Sequence, residues 1–75
     1  MKTNKVAQAA IPQKLIRMRA VMEMTGMAKA SIYRLAADGT FPKPIKLSER
    51  SSAWVEADVA AWIQSRIDAA QQAAA

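Results

Sequence analysis

The sequence predicts a mainly α domain carrying a small β-hairpin, and three observations support that expectation. Gly26 parts two short segments of helical apolar spacing, a proline-bounded run (Phe41-Pro42-Lys43-Pro44) leads into alternating residues, and apolar residues after Val55 recur at three- and four-residue intervals. The 75 residues make one small domain, whose core buries too little apolar surface for more than marginal stability without partners or covalent staples.

MKTNKVAQAA has no periodicity and precedes Pro12, so residues 1–13 read as a flexible amino-terminal arm in which Lys2 and Lys5 are the groups available to a phosphate. Residues 14–68 form the folded unit. Leu15-Ile16-Arg17 suits a short strand, although three residues do not decide it. From Arg19 to Thr25, the positions of Val21, Met22 and Met24, with Met18 upstream, suit a short helix; Gly26 ends it because glycine readily adopts the left-handed conformation of a helix terminus. Ala28 stands where an N-cap belongs and cannot cap, which weakens the next helix by about 0.5 to 2 kcal/mol relative to Ser or Asp.

That next helix is expected over Lys29 to Asp38. Ile32, Leu35 and Ala36 share one stripe, and Lys29, Ala30, Tyr33, Arg34 and Ala37 the other, before Gly39 stops the helix. The prolines force an extended path through Thr40 to Pro44. Ile45-Lys46-Leu47 alternates like a half-buried strand, Ser48 to Ser51 is polar enough to turn, and Ser52-Ala53-Trp54 can return, with Arg50 near the hairpin tip. The last helix carries Val59, Trp62, Ile63 and Ile67 on one side and Glu56 and Asp58 in its first turn, where negative charge is favoured. Residues 69–75 are an Ala/Gln-rich tail with high helix propensity and nothing to pack, expected to fray unless another subunit covers it. Phe41, Trp54 and Trp62 are expected in the core rather than as base-stacking platforms, because so small a domain needs its large apolar groups inside.

Composition narrows the function. The chain has neither cysteine nor histidine, which removes disulfides, thiolate metal sites, and the commonest general base and strong nucleophile at neutral pH. No enzymatic activity, cofactor or metal is expected. The formal net charge is +5, and residues 1 to 52 carry ten Lys/Arg against three Asp/Glu, the remainder one against three. Such an excess attracts polyanions. No apolar run approaches the roughly 20 residues that cross a bilayer, and the amino-terminal stretch is too short and polar for a secretory signal. The expected location is cytoplasmic and nucleoid-associated, with no membrane partner.

Two helices joined by a tight glycine turn make a helix-turn-helix, and the hairpin after it makes the expected fold a winged helix-turn-helix. The small residue usual four positions before the turn glycine is replaced by Met22. In this geometry the second helix lays its amino-terminal half in the major groove of double-stranded DNA. The recognition set is Ala28, Lys29, Ala30, Ser31, Tyr33 and Arg34: Arg34 for bidentate contact to guanine, Tyr33 for phosphate or a thymine methyl, Lys29 and Ser31 for phosphate. The wing set is Lys43, Lys46, Ser48, Arg50 and Ser51, joined by Ser52, with Arg50 placed to enter a narrow minor groove and Glu49 expected to turn away or pair with a cation. A domain this small covers only about 600 to 1,000 Å² of DNA, so several copies are expected on one site, as a dimer on inverted repeats or head-to-tail on direct repeats. The competing reading is a protein-interaction adaptor that docks through the helix Val55 to Ala69 and the tail, its basic face merely solvated.

From Leu15 to Ile67 the chain resembles short prophage regulators of the AlpA type, relatives of MerR-like winged helices and of phage excisionases. The similarity rests on TGM followed by SIYR, on FPKPIKL, and on AWVEADVAAWI. The resemblance implies a DNA-binding winged helix-turn-helix that controls a mobile element's integrase, either by activating its transcription or as a recombination directionality factor (excisionase) at attachment sites, with the integrase itself a further partner. Members of that family typically have serine where Ala28 stands.

Overall fold

The computed structural model describes residues 13–74; the expected arm, with Lys2 and Lys5, lies outside the described residues apart from Gln13. The order of elements is β1 (Leu15–Ile16), α1 (Met18–Thr25), α2 (Lys29–Ala37), β2 (Ile45–Ser48), β3 (Ser51–Val55) and α3 (Glu56–Ala74). The architecture is mainly α with a small antiparallel sheet, as expected.

The strand left open at Leu15 does form, and the sheet is three-stranded in the order β1-β3-β2. Two residues are too few to specify a strand by themselves; pairing makes the strand. Leu15 lies opposite Val55 and Ile16 opposite Trp54, and the Glu56 N–H donates to the Lys14 carbonyl at 2.8 Å. The Lys14–Glu56 ion pair beside it, at 3.7 Å between exposed side chains, adds at most about 1 kcal/mol. This junction brings the start of the folded unit to the start of α3.

Ile16, Val21, Ile32, Ala36, Phe41, Trp54 and Val59 form one buried cluster, with Met18, Met22, Met27, Leu35, Trp62 and Ile63 half-buried around it. Every element except β2 gives a residue to it. The register explains the exception: Ile45 pairs with Ala53 and Lys46 with Ser52, and the pairing then slips so that Ser48 meets Ser51, leaving a bulge at Leu47. All four β2 residues are exposed. The half-buried alternation expected for Ile45-Lys46-Leu47 is therefore corrected. β2 is an outer strand, and both its apolar side chains, Ile45 and Leu47, stay exposed.

α3 starts as expected, with Glu56 and Asp58 in its first turn, and Val59 is fully buried. Nineteen residues at about 1.5 Å each make it roughly 28 Å long, more than the core can use. From Gln64 to Ala73 every side chain is exposed, including Ile67 on the expected apolar stripe.

Candidate nucleic-acid interface

The turn between α1 and α2 is built from three consecutive residues. Gly26 has φ 73°, and its N–H donates to the Met22 carbonyl at 2.7 Å, closing α1 in the left-handed fashion that glycine permits at low cost. Thr25 does what Gly26 cannot: its hydroxyl donates to the Val21 carbonyl at 2.9 Å and accepts the Met27 N–H at 3.2 Å. Met27 then packs against the core. α2 thus leaves the turn in a fixed direction.

The first turn of α2 lacks a side-chain cap. Ala28 occupies the extended N-cap position, and only its carbonyl contributes, accepting the N–H groups of Ser31 and Ile32 at 3.0 and 3.1 Å. The other end is well made. Gly39 at φ 86° donates to the Ala36 carbonyl and Thr40 to that of Leu35, at 3.2 and 3.0 Å, which is the paired closure of a Schellman motif. Thr40 also donates both its hydroxyl and its N–H to the Asp38 carboxylate, the N–H at 3.0 Å. These two hydrogen bonds hold Asp38 below its ordinary pKa, with a smaller pull from the Arg34 guanidinium.

On α2 the two stripes separate as the periodicity requires. Ile32 and Ala36 are buried and Leu35 is half-buried, whereas Ala28, Lys29, Ala30, Tyr33, Arg34 and Ala37 are exposed and Ser31 is intermediate. Tyr33 keeps 47% of its surface open, and its ring lies 6.2 Å from that of Trp54. The phenol ring is thereby backed by a core tryptophan while about half of the residue stays open to solvent. Lys29 and Arg34 lie in no ion pair within 4 Å among the described residues.

What aligns the wing with α2 is the strap Thr40-Phe41-Pro42. Phe41 is buried and meets the Trp62 ring edge-on at 4.8 Å. The Trp62 indole N–H donates to the Thr40 carbonyl at 2.7 Å, and that of Trp54 to the Pro42 carbonyl at 3.0 Å. Both tryptophans face the core as expected, Trp54 fully and Trp62 in part. The hydrogen bonds were not legible from composition, although a buried indole ordinarily requires an acceptor.

Beyond the strap, Lys43, Lys46, Ser48 and Arg50 are exposed and Ser51 and Ser52 half-exposed. Glu49 and Arg50 form the two-residue turn between β2 and β3, with Arg50 at the tip as expected. The Lys46 ammonium donates to the Glu49 carbonyl at 3.1 Å, which draws this cation toward the tip. A shallow cleft lined by Tyr33, Ala36, Ala37, Lys43 and Pro44 joins the outer face of α2 to the wing. Tyr33 of the one expected site group and Lys43 of the other therefore line one cleft. No helix among the described residues is long and apolar enough to cross a membrane, and none of those residues form a cluster of three or more metal-binding side chains.

The family model described as prophage CP4-57 regulatory protein (AlpA) matches residues 14–67. The DNA-binding transcriptional activator AlpA of Escherichia coli K12 is 37% identical over 59 residues, which cover 71% of this chain and 84% of that protein. The uncharacterized protein ORF88 of Enterobacteria phage P4 is 33% identical over 55 residues, or 73% of this chain. The match spans only 62% of the phage protein's own length. No solved structure matches the chain. The matched residues run from the start of β1 through the turn, α2, the strap and the wing to Ile67 in α3, and the chain belongs to the AlpA family of prophage regulatory proteins.

Proposed function

We propose that the protein is a sequence-specific DNA-binding regulator of a prophage or other mobile element. α2 enters the major groove through Ala28, Lys29, Ala30, Ser31, Tyr33 and Arg34, and the wing lies over the adjacent backbone and minor groove through Lys43, Lys46, Ser48, Arg50 and Ser51. The observation that carries this reading is the free, cationic outer stripe of α2, held by a fixed turn and set beside a second cationic ridge. A helix presented in this way fits the width of the major groove, and the cations of α2 and of the wing are suited to neutralise phosphates. The activator named among the relatives supports the same class of function.

Control of integrase transcription and excision at attachment sites are the two finer roles we assign to this binding, with an integrase as partner in the second. One domain covers too little DNA for tight specific binding, so several copies act on one site. The location that follows is the cytoplasm, at the nucleoid.

The test is fluorescence anisotropy on duplexes that the protein selects from a random pool, comparing Arg34→Ala with Lys46→Ala. Arg34→Ala is expected to cost roughly 1 to 3 kcal/mol and to relax specificity at one base pair, while Lys46→Ala lowers the salt slope by about one unit and affects all sequences alike. Equal small effects from both would count against the assignment.

A groove between α1 and α3, lined by Met24, Thr25, Trp62, Ile63, Arg66, Ile67 and Ala70, favours a second reading, the adaptor. Under it, truncation of α3 abolishes capture of a protein partner, and DNA affinity stays unspecific even at low salt.

A further inference from the structure

β2 carries an apolar surface that phosphate contact does not explain. Leu47 is 49% exposed and Ile45 43%, and Leu47 is the most exposed of the large apolar side chains among the described residues. Its place is specific: the pairing slips between Lys46 and Ser48, so Leu47 has no residue opposite it and occupies the bulge. Bulges re-aim the side chain they carry. Exposed cations flank this tooth, with Lys46 before it and Arg50 just past it at the tip.

An apolar tooth between cations on a thin, two-stranded ridge is matched by few surfaces. An apolar protein pocket would take Leu47 but would strip water from Lys46 and Arg50 without pairing them, which is costly. The minor groove of DNA offers both halves of the match: phosphates along its walls for the cations, and the faces of two stacked bases for an apolar group that enters between them. We propose that Leu47 is an apolar wedge that enters the minor groove and partly unstacks one base step, so that the duplex bends where the wing sits. The proposal rests on the reading that α2 and the wing bind one duplex. The step it fits best is a pyrimidine–purine step such as TA, which is the most easily unstacked.

The experiment uses the full chain and its selected duplexes, with 2-aminopurine replacing adenine at successive positions under the wing. Anisotropy reports binding, 2-aminopurine fluorescence reports unstacking, and end-to-end energy transfer reports the bend. Wild-type protein is expected to raise the fluorescence severalfold at one step and to shorten the end-to-end distance. Leu47→Met keeps both signals, and Leu47→Ser loses most of both at saturating protein. Since Leu47 is half exposed and outside the core cluster, neither variant is expected to unfold, and circular dichroism checks this. A duplex bound by the wild type with flat fluorescence and an unchanged end-to-end distance overturns the wedge and leaves DNA binding intact. So does flat fluorescence with fewer Leu47→Ser copies per duplex by sedimentation, because the ridge would then face a neighbouring copy. Absence of binding to any duplex removes the wedge together with the function on which it rests.

Discussion

The strap Thr40-Phe41-Pro42 and the last turns of α3 have opposite local chemistry and opposite fates. The strap has a proline, no regular structure and almost no propensity of its own, yet two indole hydrogen bonds and a buried ring hold it. Residues 64–73 have high helix propensity and a continuous helix, yet no side chain there is buried. Order near the proposed interface therefore comes from tertiary partners, not from the backbone preferences of the segment that is ordered. The strap joins α2 to the wing, so the relative placement of the two groups proposed to face DNA depends on Trp54 and Trp62.

The comparison is most directly broken by Trp54→Ala. The ring is among the largest fully buried side chains, and its indole N–H is the donor to Pro42. Removing both is expected to cost about 3 to 5 kcal/mol, most of what a domain of this size possesses. Urea denaturation followed by circular dichroism should show a largely unfolded chain at room temperature. A loss under about 1 kcal/mol would mean that the strap is held by something other than the tryptophan.

A smaller change, of opposite sign, concerns the other end of α2. Ala28→Ser supplies the missing cap to a helix whose N-cap position is already extended, and about 1 kcal/mol of added stability is expected. The measurement is the urea midpoint at unchanged slope. Since Ala28 is also in the proposed recognition set, anisotropy on selected duplexes separates capping from a new phosphate contact: a stability gain without tighter binding assigns the hydroxyl to the helix alone.

How much of this was legible in the sequence depends on where each partner lies along the chain. The stripes of α2 could be read because a 3.6-residue period places Ile32 and Ala36 together, and Gly26 could be read because its conformation is a local property. β1 could not be settled, because two residues have no period and exist as a strand only opposite Trp54 and Val55. The burial of β2 was misjudged for a related reason: alternation shows that two faces differ, but not whether anything covers the apolar one. The Trp62 contact spans 22 residues, and nothing local at Thr40 announces it. Of the candidate site, the residue types and helix face were legible; the cleft between α2 and the wing was not, because the strap sets it.

The Asp38–Thr40 contact sharpens the comparison further, since it is local order added at the near end of the strap. Its sign follows from the depressed pKa. The folded protein holds Asp38 ionised more readily than the unfolded chain does, so the contribution to stability is fully present above the unfolded carboxylate value of about 3.9 and is lost as the pH falls through the lower folded value. Asp38→Asn removes this component. The difference in urea midpoint between wild type and variant should therefore shrink from pH 7 to pH 3, and a difference constant over that range would show that Thr40 does not favour the charged form.

The smallest effect is expected at the other end of the comparison. Truncation after Ala70 removes Gln71, Gln72 and the final alanines; Gln71, Gln72 and Ala73 are exposed and outside the core cluster. Residues far from packing, caps and buried polar groups typically change stability by less than about 0.5 kcal/mol, and the urea midpoint of the truncated chain should stay within that margin. Hydrogen exchange gives the same contrast without a mutation. The amides of Val59 and Trp62 should exchange only through near-global unfolding, and those of Gln71 and Gln72 through local fraying, orders of magnitude faster. Slow exchange at Gln71 in the free protein would mean that the end of α3 is covered in solution. If the protection then fell on dilution, the cover would be a second copy of the chain.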